Sequence, residues 1–113
     1  MTEAQALLLS ASIEGPIAFA IARLAKWPCR GPLHVGVAAA AATAVTHPQL
    51  WAAAYWAYPR FLYWPASLGL EALVIVAEGV LIAWMAQLTA PRAMIVSLIA
   101  NSASFLAGLW LAG

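Results

Sequence analysis

Residues 67–87, SLGLEALVIVAEGVLIAWMAQ, make an almost wholly apolar run whose only charged side chains are Glu71 and Glu78. About 20 apolar residues in α-helix cross a hydrocarbon core of about 30 Å, so this stretch reads as a transmembrane helix. The two glutamates are seven residues apart, which puts them on nearly one side of that helix and about 10 Å apart along its axis. They line one face but do not touch. A carboxylate at such depth costs at least about 3 kcal/mol, so acids there usually turn to a bundle interior, find a partner, or line an ion or proton path.

Three further runs flank this one. The first, from about Gln5, ends at the basic segment Arg23, Lys26, Trp27, Pro28 and contains Glu14-Gly15-Pro16. Pro16 removes a backbone donor one turn after Ser12, which predicts a kink or loosened turn beside Glu14. The second follows Arg30-Gly31-Pro32 and includes the small-residue stretch 37–45, VAAAAATAV, suited to close helix contact in lipid. It then meets Thr46-His47-Pro48, where the proline predicts a bend or interruption. The last begins at Pro91, a good first helical residue. Ser97, Asn101, Ser104 and Gly108 there follow the i, i+4, i+7, i+11 spacing of one helix face.

The whole composition agrees with that pattern. Of 113 residues, 65% are hydrophobic and 8% charged, with mean hydropathy +0.90; soluble domains run at about 45–50% and about 25%. The length accommodates four helices and short connections. The expectation is an all-α, polytopic integral membrane protein: one membrane domain, 1–113, a four-transmembrane-helix bundle with spans at about 5–25, 33–56, 66–87 and 91–112.

Glu3 precedes the first run and basic residues follow it, the reverse of a secretory signal, so the run is expected to be retained as a helix. Arg23, Lys26 and Arg30 occupy the first connection and Arg92 the third, against Arg60 alone in the second. By the positive-inside rule both termini are then non-cytoplasmic, in a multi-pass protein of the cell membrane. Between the second and third runs, Trp51, Tyr55, Trp56, Tyr58, Tyr63 and Trp64 read as an interfacial aromatic belt; a platform for a sugar or aromatic ligand is the sharper alternative.

With that topology, Glu14 and Glu78 fall near mid-membrane in the first and third spans, Asn101 near the middle of the fourth, and His47 and Glu71 in the outer half of the second and third. Packing inward should bring some of them together. Two accounts compete. In one, Glu14 and Glu78 are protonated structural donors to Asn101, Ser104 or the carbonyls freed at Pro16 and Pro48. In the other, carboxylates, imidazole and amide form a hydrated cation site or proton relay, with His47 and Glu71 as its outer vestibule. His47 also admits a plainer reading, as a cap on a broken helix or a group pointing to headgroups.

Other chemistries find less support. A net charge of +1 without a basic cluster argues against nucleic acid as partner. Cys29 is the only cysteine, so no internal disulfide forms. No cofactor is named by the sequence; Glu and His ligands would suit zinc, iron or manganese better than copper(I). A haem held by His34 and His47 is disfavoured, since thirteen residues leave them about 140° apart on a helix. There is no Asp, no H-E-x-x-H and no phosphate loop, and no spacing favours Ser97, Ser102 or Ser104 with His47 as a hydrolase, so an enzyme is not the expected reading. The partners expected are the lipid bilayer and either further copies of the chain or a partner membrane subunit. An accessory or assembly subunit of a larger membrane complex is the competing role.

Overall fold

The computed structural model describes residues 2–112. Four helices account for nearly all of them: α1 Glu3–Ala25, α2 Pro32–Ala57, α3 Tyr63–Ala86 and α4 Ala90–Ala112. Connections this short force chain neighbours to run antiparallel. α1 packs on α2, α2 on α3, α3 on α4, and α4 closes the ring on α1. One end therefore carries the α1–α2 and α3–α4 connections, and the other both chain termini and the α2–α3 connection.

Local chemistry sets the helix ends. Thr2 caps α1, its hydroxyl accepting from the Gln5 N–H while the Gln5 side chain accepts from the Thr2 N–H. Lys26 and Gln87 terminate α1 and α3 in the left-handed conformation, at φ 56° and 54°. Gly31, at φ 132°, then turns the chain into Pro32 at the start of α2. The Arg30 N–H donates to the Ala86 carbonyl at 3.0 Å, tying the first connection to the end of α3.

α2 runs unbroken through Pro48, so residues 49–57 are the outer end of the same helix, within the single span expected at about 33–56, and the interruption that the proline also allowed does not occur. α1 is likewise continuous through Pro16. Isolated prolines are tolerated in long helices because packing and neighbouring hydroxyls offset the missing bond.

α1, α3 and α4 are long and apolar enough to cross a membrane. α2 is not among them although it is the longest, at 26 residues; Thr43, Thr46, His47, Pro48 and Gln49 interrupt its apolar character. The surface matches a lipid environment. Leu73, Val76, Val80 and Trp84 of α3 and Leu98, Leu106 and Trp110 of α4 are exposed, while Glu14, Glu78 and Asn101 are buried. In water so much exposed apolar surface would drive association; in hydrocarbon it is the favourable face. The molecule measures 43 × 23 × 19 Å, long enough to span.

Packing divides the bundle into two halves. Toward the two-connection end the interior is small and apolar: Ala18, Ala22, Val35, Ala38, Ala39 and Ala42 meet Ile82, Ala86, Ala93 and Val96. Helices come closest here. A Cβ placed on Gly36 would lie 3.0 Å from both the Gly15 carbonyl oxygen and Phe19 Cβ, so α1 and α2 touch backbone to backbone. Gly79 of α3 is covered by the Met94 side chain of α4. Toward the other end the interior becomes polar and hollow.

Candidate functional site

Each helix contributes polar side chains just above the alanine core. Glu14 enters from α1, and beside it stands Thr43, one turn past Ala39 on α2. Glu78 enters from α3, and Ser97, Asn101 and Ser104 from one face of α4. Glu14, Thr43, Glu78, Ser97 and Asn101 are all buried.

Thr43 joins the two carboxyl groups. Its Oγ1 lies 3.0 Å from Glu14 Oε1 and 3.2 Å from Glu78 Oε1, and also 3.0 Å from the Ala39 carbonyl oxygen. The Ser104 hydroxyl donates to Glu14 Oε2 at 2.9 Å, and the Thr46 hydroxyl to Glu78 Oε2 at 2.8 Å. Asn101 Nδ2 donates to Glu78 Oε1 at 3.3 Å, and on its own helix to the Ser97 carbonyl oxygen and Oγ at 2.9 and 3.1 Å. Ser97 Oγ in turn donates to the Ile75 carbonyl at 2.6 Å, locking α4 to α3. Every carboxyl oxygen of Glu14 and Glu78 thus has a partner.

A hydroxyl has one proton to give and two lone pairs to accept with. Thr43 faces three oxygens, one of them a carbonyl that only accepts, and Ser104 faces both Glu14 Oε2 and the Asn101 carbonyl. Even so, one donor can be assigned to each carboxyl oxygen: Thr43 and Ser104 serve Glu14, and Asn101 and Thr46 serve Glu78. A proton placed between Glu14 and Thr43 would turn that bond around and free the Thr43 hydroxyl for the Ala39 carbonyl. Two acids separated by one hydroxyl therefore form a place where a proton or a small cation can be received.

The network opens on a cavity of about 320 Å³ that extends toward the terminus-bearing end. Glu14, Glu78 and Asn101 line its floor, and Glu71, His47, Tyr58 and Tyr63 its upper walls. His47 is buried, stacked obliquely on Trp51 at 6.1 Å, and its Nε2 has no hydrogen-bond partner among the described residues. That placement departs from the plainer reading: the helix it was to cap is unbroken, and the ring faces inward. Glu71 is half-buried and forms no hydrogen bond with the described residues. It shares the cavity with Glu78, one seven-residue step along the same helix face.

Of the partners expected for the glutamates, Asn101 and Ser104 are found, as donors to the carboxyl groups, together with Thr43 and Thr46; carbonyls at Pro16 and Pro48 take no part. Sequence reasoning passed over Thr43 and Thr46, although their spacing with His47 (i, i+3, i+4) marks one inward face in an otherwise alanine-rich helix. Among the described residues no group of three or more His, Cys, Asp or Glu side chains is placed to hold a metal ion. At the aromatic end, Arg60 stacks on Trp56 at 4.9 Å and donates to its carbonyl at 2.6 Å, while Tyr58 and Ser67 share a hydrogen bond at 3.1 Å. At the opposite end Arg92 stacks on Trp27 at 5.6 Å. No protein family, no curated protein and no solved structure matches the chain.

Proposed function

We propose that the chain is a four-span protein of the cell membrane, both termini outside, that binds and passes protons or a small cation through Glu14, Glu78 and Asn101. Glu71 and His47 form the outer vestibule. The observation that carries this reading is the pair of buried carboxyls bridged by Thr43 at the floor of a cavity that also holds an unpartnered imidazole nitrogen. A purely structural hydrogen-bond network has no need of that nitrogen or of the hollow above it. The alanine core beneath closes the path toward the two-connection end, so access from the terminus-bearing side comes first and passage requires the helices to move. Assembly of several copies would give such a small bundle room for that motion.

The test is a thermal-stability screen in mild detergent across pH and across sodium, potassium, zinc and manganese. A bound ion stabilises by an amount that grows with its concentration over its Kd. Wild type should show such a shift, and Glu14→Gln and Glu78→Gln should lose it while still inserting and folding, because glutamine keeps shape and hydrogen bonding but removes the charge. An undiminished shift in both variants refutes the site.

A second reading draws on the complete pairing of the four carboxyl oxygens: an accessory or assembly subunit in which the same protonated pair only fastens the helices together. Stoichiometric co-purification with another polypeptide favours it, whereas a discrete homo-oligomer favours the first.

A further inference from the structure

Beside the polar cavity, on the outer flank of the bundle, the seam between α2 and α3 holds two contiguous hollows of about 670 and 560 Å³ that share Leu50 and Leu70. The larger, near the α2–α3 connection, is walled by Trp51, Tyr55, Tyr58, Phe105 and Glu71. The other continues along the seam between Val45 and Ala53 on one side and Leu73 and Leu81 on the other. Their rims, Tyr55, Leu73 and Val80, are exposed on the face that meets lipid.

Among the described residues Glu71 is the only charged side chain lining either hollow. It also lines the polar cavity, together with Trp51 and Tyr58, so it stands in the wall between the two compartments. No hydrogen bond to the described residues satisfies its carboxyl group. An unpaired acid among aromatic rings attracts a cation that sheds water easily, since ring faces and a carboxylate both favour positive charge. A neutral acyl chain would leave that acid without a partner, and an anionic lipid would be repelled.

We propose that this groove binds a lipophilic organic cation drawn from the membrane, its quaternary head against Glu71 between Trp51, Tyr55 and Tyr58 and its apolar arm along the seam below. The proposal rests on the reading of Glu71 as a vestibule residue and names the class of ligand that vestibule takes. Binding holds Glu71 as a carboxylate and brings the head to the threshold of the Glu14–Glu78 cavity.

The experiment compares decyltriphenylphosphonium with the neutral decyldiphenylphosphine oxide, titrated into the protein in nanodiscs of neutral lipid, with empty discs subtracted. Wild type should bind the cation at least tenfold more tightly than the oxide, and Glu71→Gln should bring the two within about twofold. Equal affinities in wild type, or no binding of either, overturn the proposal without any variant being made. A preference that survives in folded Glu71→Gln does so as well. The comparison needs neither a proton gradient nor an added metal, so it is decided apart from ion binding at Glu14 and Glu78.

Discussion

Thr43 is the residue on which the site turns, because one hydroxyl serves two acids on opposite sides of the ring. Thr43→Val keeps the shape and removes the bridge, leaving two buried carboxyl oxygens with fewer donors. The cost of stranding such groups is about 1–3 kcal/mol, to be seen as a lower melting temperature in detergent, together with loss of ion-dependent stabilisation. His47 gives the opposite sign. Its Nε2 is buried without a partner, so His47→Phe, which keeps a ring of similar size against Trp51, should leave thermal stability unchanged or raise it. A marked fall would mean that solvent in the cavity bonds that nitrogen. Glu14, Glu78 and Asn101 were legible in the sequence because charge and amide stand out against Leu and Ala. Thr43 was not, since threonine is unremarkable in an apolar helix until a neighbouring helix presents something to bond.

Among the helices, the α1–α2 pair depends on glycine. Gly36→Ala would set a methyl group 3.0 Å from the Gly15 carbonyl oxygen and from Phe19 Cβ, neither of them a flexible side-chain end. The helices must part, at about 1–3 kcal/mol. Gly69→Ala is the matched control: nothing lies within 4 Å of its added Cβ, and helix propensity favours alanine by up to about 1 kcal/mol. Unfolding of both variants should separate them in sign; equal losses would show that α1 and α2 are not in backbone contact. Helix number and type, and ends close to those found, followed from the apolar runs and from Pro32 and the loop basic residues. The proline left open whether α2 continues past His47 or breaks there; burial of that ring and the packing of α2 between α1 and α3 override its local preference for extended geometry.

At the scale of the molecule, charge and packing make the two ends unlike. Arg30, Lys26, Trp27 and Arg92 gather where the alanine core is tight, and the aromatic residues where the interior is open. Alkaline phosphatase fused after Gly113 should be active, and the same enzyme placed in the α1–α2 connection inactive; the reverse pattern would invert the proposed orientation. That inside-out character was readable from composition. The polar hollow and the lateral groove were not, since both depend on how far α2 and α3 stand apart, which no single helix encodes.

In the two helices that supply the acid pair, each of its glutamates is followed at once by a buried glycine, Gly15 after Glu14 and Gly79 after Glu78. Two close helix contacts, Gly15 on Gly36 and Gly79 on Met94, are thus built into the same turns as the pair. Any rocking that pries α1 from α2 must also draw Glu14 away from Thr43, and sliding of Met94 off Gly79 must disturb Asn101 and Glu78. Under the proposed function, filling or emptying the acid pair would therefore be felt as a change in the width of the bundle.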